Sequence, residues 1–104
     1  MKVITQGHSY ELSNFENPET KGQTLQFIHK EPKEEGSVEM KTVSEGTTNE
    51  EVLEALIDRI NFLQSKFPCR ENAIVITKLQ ESLMWLNKRT EDRKKRNVEG
   101  KHTA

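Results

Sequence analysis

The sequence predicts an α+β fold: a small N-terminal antiparallel β-sheet followed by a long C-terminal helical hairpin, assembled as a homo-oligomer. Three observations lead there. Apolar and polar residues alternate through the first half, which is the period of a half-buried strand. Through the second half apolar residues recur every three or four positions, interrupted once at Pro68, which is the period of helices. Only 32% of the 104 residues are hydrophobic, as many as are charged. One chain therefore holds little apolar material for a core of its own, and further copies are expected to supply the rest.

The chain is read as a single domain, residues 1–104, made of a strand region (1–46), a hairpin (47–96) and a tail (97–104). In the strand region the alternating runs are Tyr10 and Leu12, then Leu25, Phe27 and His29, then Val38, Met40 and Thr42. Residues 14–22, with Pro18, form a turn-rich connection, and residues 32–36 suit a hairpin. Three or four antiparallel strands with one apolar face result. A sheet this small must cover something to persist.

The first helix announces itself by Thr48 and Glu51, a capping box placed just before an apolar run. Val52, Leu56, Ile60 and Leu63 follow at helical spacing, with Leu53 and Ile57 alongside. Phe67-Pro68 ends it, because a residue preceding proline is driven out of the α region. The second helix starts near Arg70 and meets no Gly or Pro through residue 96. Ala73, Ile76, Leu79, Leu83 and Leu86 mark its buried stripe, while Ile74, Val75, Met84 and Trp85 fall partly outside it. That apolar arc is wider than one partner helix covers. Trp85 either packs on the sheet or meets a second copy.

Charge is unevenly spread. Residues 1–51 carry 10 acidic and 5 basic side chains, whereas residues 88–104 carry 7 basic and 3 acidic. An anion would be drawn to the C-terminal end, although cations near a helix C-terminus also serve the macrodipole. A small nucleic-acid-binding regulator is the alternative reading of this end. The pI of about 6.3 and the acidic first half speak against it, since such domains present a dominant basic face. No run approaches the roughly 20 apolar residues of a membrane span, and residues 1–8 lack the features of a secretory signal. Cys69 is the single cysteine, so a reducing, cytoplasmic setting is expected.

Catalytic chemistry finds little footing. His8, His29 and His102 have no metal-ligand spacing with one another or with Cys69, and no nucleophile elbow, P-loop or dinucleotide fingerprint occurs. No catalytic residue, metal or cofactor is expected. Ligand binding has better candidates. Phe62 can stack on a nucleobase and Asn72, just past the turn, can pair with base or ribose edges. Arg89 and Arg93, with Lys95 and Arg96 beyond, can grip phosphate; the first two are four apart and share a helix face. Lys30, a cation near the sheet edge, would suit a phosphate as well. Each also has an ordinary reading as core, first-turn or surface residue.

A resemblance brings these candidates together. The runs Thr48-Asn49-Glu50-Glu51-Val52-Leu53, Cys69-Arg70-Glu71-Asn72-Ala73 and Ile76-Thr77-Lys78-Leu79-Gln80-Glu81 resemble the first family of Thoeris anti-defence proteins. So do Met84-Trp85-Leu86-Asn87-Lys88-Arg89-Thr90-Glu91-Asp92-Arg93 and Val98-Glu99-Gly100, with Gln26 to Pro32 less specifically. These are phage proteins that share a helical hairpin with the second family of anti-CBASS proteins. The resemblance implies a non-enzymatic sponge for 1''–3' glycocyclic ADP-ribose, the signal made by TIR-domain immune proteins. It further implies cyclic di- and trinucleotide ligands in separate pockets between subunits, a hexamer built from dimers, no membrane or nucleic-acid partner, and action in the cytoplasm of the infected bacterial host. By motif match it assigns Phe62 as a stacking residue, Asn72 as a polar contact and Arg89 as a stacking and phosphate contact. Arg93, Glu99 and Gly100 would belong to a pocket built by the tail. Two positions depart from the family's G-V-E-G-T tail, Asn97 for the glycine and Lys101 for the threonine, which leaves the larger-ligand pocket open.

Overall fold

The computed structural model describes residues 1–96. Five short strands precede two helices: β1 (Lys2–Thr5), β2 (Ser9–Leu12), β3 (Gln23–Gln26), β4 (His29–Pro32), β5 (Met40–Ser44), α1 (Asn49–Lys66) and α2 (Arg70–Lys95). The α+β architecture with a C-terminal hairpin is the one expected. The chain divides into two compact units, Met1–Thr48 and Asn49–Ala104. Among the described residues no helix is long and apolar enough to cross a membrane.

The first unit holds two sheets where the alternation suggested one. β1, β2 and β3 form an antiparallel meander in that order, and β4 pairs with β5 as an antiparallel hairpin. The run Leu25, Phe27, His29, read as one strand, is divided between them. Its break has a hydrogen-bonding cause: the Phe27 N–H donates to His8 O (2.8 Å) and the Ile28 N–H to Thr47 O (2.9 Å). Phe27 thereby forms a parallel bridge to Thr47, and the chain re-enters as β4. The edge strand β1 was not anticipated; all four of its residues are exposed, so no alternation marks it. Val38 lies before β5, because the Glu39 N–H donates to the Ser37 hydroxyl (3.0 Å) in a side-chain turn that delays pairing until Met40.

The β2–β3 connection is ordered by its own side chains. The Asn14 amide donates to the Thr20 hydroxyl and to Lys21 O, both at 3.0 Å, and the Thr20 hydroxyl donates to Asn17 O at 2.7 Å. Gly22 closes this loop where the backbone passes against Leu12: a Cβ there would fall 1.7 Å from Leu12 O. Only glycine fits that approach.

The second unit is an antiparallel helical hairpin with a heptad seam. On α1 the half-buried positions include Glu50, Leu53, Ile57, Ile60 and Gln64; on α2 they include Asn72, Ile76, Leu79, Leu83, Leu86 and Thr90. Steps of three and four alternate on both, the 3.5-residue period of coiled-coil packing. Leu56, Leu63 and Ala73, expected in the stripe, are exposed, and Asn72 takes the seam position instead of Ala73. Apolar identity alone misdirected that reading, since this hairpin carries more leucines than one seam accepts. α1 starts directly after Thr48, where the capping motif requires. Among the described residues no apolar side chain is fully buried; the two buried residues are Ser9 and Arg93.

Candidate functional site

The candidate residues of the hairpin separate to its two ends. At the loop end α1 stops at Lys66, and residues 67–69 turn the chain. Cys69 is the N-cap of α2, extended at φ −148° and ψ 158°, and its thiol accepts the Asn72 N–H at 3.4 Å. Sulfur is a weak acceptor in a position where a hydroxyl or carboxylate is usual. The Gln64 side chain fixes the turn from the other helix. Its amide nitrogen donates to Cys69 O (2.9 Å) and its amide oxygen accepts the Cys69 N–H (3.0 Å). Both backbone groups of the capping residue are thus held by one side chain, and the start of α2 is set relative to α1.

Phe62 stands on α1 one turn before its end and is 56% exposed. The Lys66 ammonium lies over that ring, 5.3 Å from its centroid. Asn72 sits in the first turn of α2, half-buried in the seam. The hairpin turn therefore brings Phe62 and Asn72 to the same end. A large, accessible aromatic face, an amide and an ammonium suit a base joined through a sugar to an anion.

At the open end the Thr90 hydroxyl donates to the Glu50 carboxylate at 3.5 Å, tying α2 to the start of α1. Lys88 pairs with Asp92 at 3.1 Å. Arg89 is exposed. Arg93, expected on the same face, is 6% exposed and already engaged by a neighbour. The two arginines are one turn apart yet differently placed, because Arg93 follows the seam spacing from Thr90 and Arg89 does not. Asn72 and Arg89 are separated by 17 residues of continuous helix, about 25 Å at 1.5 Å per residue. One hairpin cannot close Phe62, Asn72 and Arg89 around a single small ligand.

Lys30 is exposed on β4 in the first unit. Glu99 and Gly100, with Asn97 and Lys101, lie outside the described residues. A groove of about 460 Å³ runs along α2, lined by Gln80, Leu83, Met84, Asn87, Lys88 and Glu91. All six belong to one helix, so it is an open surface feature. In the first unit His8 and His29 stack with centroids 3.5 Å apart and planes 8° from parallel, and His29 Nε2 lies 3.3 Å from Glu31 Oε1. Sequence spacing gave no hint of this pair, whose segments are joined by the Phe27 N–H bond to His8 O. Parallel stacking points the ring nitrogens outward in two separate planes, which is unsuited to chelating one ion. Among the described residues no group of three or more His, Cys, Asp or Glu is arranged to hold a metal. Sequence reasoning also passed over Lys66 and Gln64. The four-residue spacing from Phe62 to Lys66 was the available signal, masked because a lysine in a last turn already has a reason to be there.

Comparison with known proteins agrees with the hairpin. Residues 23–91, about two thirds of the chain, match the family profile described as Acb2/Tad1, hairpin domain. The chain is also 55% identical over 58 residues to a protein of Bacillus phage SBSphiJ7 named Thoeris anti-defense 1. That alignment takes in 55% of this chain and 41% of the phage protein's length. The matched segment contains both helices nearly whole, the turn, and Phe62, Asn72 and Arg89. The chain therefore belongs to the Acb2/Tad1 hairpin family.

Proposed function

We propose that this protein is a phage anti-defence sponge that binds 1''–3' glycocyclic ADP-ribose, made by TIR-domain immune proteins, and withholds it intact from its effector. The observation that carries the reading is the match of residues 23–91 to the Acb2/Tad1 hairpin domain, joined to 55% identity with Thoeris anti-defense 1. Capture without turnover is a binding task and not a catalytic one. An exposed ring, an amide and arginines supply stacking and phosphate pairing, and none of them is a nucleophile activated by an adjacent base. Cyclic di- and trinucleotides are a second ligand class, assigned to a pocket that uses Arg93, Glu99 and Gly100.

The geometry supports a pocket shared between copies. Phe62 and Asn72 belong to one end of the hairpin and Arg89 to the other, so two hairpins lying antiparallel bring the loop end of one beside the open end of its partner. Self-association is also favoured by a chain whose described residues include no fully buried apolar side chain while Met84 and Trp85 are more than half exposed. We take the assembly to be a hexamer built from such dimers, acting in the cytoplasm of the infected cell, with Lys30 a candidate contact from the strand region.

The test is a thermal melt with 1''–3' glycocyclic ADP-ribose, followed by analysis of what heat releases. At 100 times the dissociation constant, mass action stabilises the native state by about 2.7 kcal/mol. The melt should shift upward, and the released compound should be chemically unchanged. Recovery of linear ADP-ribose would show turnover and end the sponge reading.

A further inference from the structure

We infer that Lys66 is a phosphate-binding residue of the nucleotide pocket, working as a pair with Phe62; this rests on the capture function proposed above. Phe62 and Lys66 are four residues apart on α1 and so share a helix face. The Lys66 Nζ is 5.3 Å from the Phe62 centroid, inside the range of about 6 Å at which an ammonium is attracted to an aromatic face. Both side chains are exposed. Lys66 belongs neither to the His29–Glu31 pair nor to the Lys88–Asp92 pair.

A lysine in the last turn of a helix complements the macrodipole wherever its head points. Here the head is folded over a ring. Contact with a π face leaves the N–H donors that point away from the ring available to an anion. A nucleotide presents matching groups, a flat base and, one sugar away, a phosphate. The base stacks on Phe62 while the ammonium, on its flexible four-carbon stem, moves off the ring edge to the phosphate. The backbone beneath is held firm: the Ser65 hydroxyl donates to Phe62 O at 2.6 Å, and Gln64 clamps the following turn. The ring and the backbone that carries the lysine are thus set before the ligand arrives and only the ammonium has to move, which limits the ordering cost of binding.

The experiment measures the affinity of the full-length chain for 1''–3' glycocyclic ADP-ribose at low and high salt, for the natural sequence and for Lys66→Met and Lys66→Arg. Lys66→Met should weaken binding about tenfold, the effect of losing one charge-assisted contact, and should flatten the salt dependence. Lys66→Arg should restore both. If Lys66→Met binds as tightly as the natural chain, the residue is a helix-end cation and the inference falls while capture stands. If affinity drops with the salt dependence unchanged, Lys66 merely orients Phe62, and the phosphate role is overturned. Should the natural chain itself retain no ligand, the capture function fails, and the role of Lys66 with it.

Discussion

Arg89 and Arg93 show how two like residues, four apart, acquire different duties. Arg89 is exposed, so Arg89→Ala should leave the melting temperature nearly unchanged and weaken ligand retention, with the assembly unaltered on sedimentation. Arg93 is buried and engaged, so Arg93→Ala should cost about 1.5–3 kcal/mol of stability, the worth of a contact made by a charged group; a denaturant titration checks this. Cys69 offers the opposite outcome. Its thiol caps α2 weakly at 3.4 Å, and Cys69→Ser should stabilise the hairpin by about 0.5–1 kcal/mol, seen as a raised melting midpoint. The placement of Phe62 and Asn72 at the hairpin turn and of Arg89 on α2 was legible, because each lies in a local context, a turn or a helix face, that sequence spacing describes. The burial of Arg93 was not, since it follows from a seam through Asn72 and Thr90, polar residues that apolar periodicity passes over.

Among the elements, the helices were readable to within a residue or so. Thr48 and Pro68 act on their immediate neighbours, through a cap and through steric exclusion from the α region. Which leucines face the seam was harder, because Leu56 and Leu63 compete with Leu53, Ile57 and Ile60 for the same name but not the same angle around the axis. The strands suffered most. Segments of four or five residues carry only two alternations each, and the division at Phe27 is decided by hydrogen bonds to His8 and Thr47, far along the chain. Gln64 bridges these levels, since one amide holds both backbone groups of Cys69. Gln64→Ala should lower hairpin stability by about 1–2 kcal/mol, the worth of two such bonds, and should increase amide exchange at the start of α2. In the first unit, Gly22→Ala should break the β2–β3 connection by collision with Leu12 O, detected as loss of the strand signal in circular dichroism.

For the molecule as a whole, composition and burial both argue for the association proposed above. A chain with 32% hydrophobic residues and no fully buried apolar side chain among the described residues has little to hold it together alone. Its melting temperature should therefore rise with protein concentration, and the emission of Trp85, 58% exposed in the single chain, should shift to longer wavelength on dilution. A melt that ignores concentration over a hundredfold range would contradict assembly-linked folding. The number of subunits was never legible, because a self-complementary helix face is compatible with several closed symmetries.

The lengthwise separation of the ring and the free guanidinium along one rod has a genetic corollary. With the proposed pocket split between partners, Phe62→Ala and Arg89→Ala damage opposite halves of every cavity, and each pure variant is crippled throughout. Mixing and reannealing the two creates hybrids in which one cavity gathers both lesions and its twin gathers none. Roughly a quarter of all cavities should then recover full strength, as a two-fold arrangement with random partnering demands.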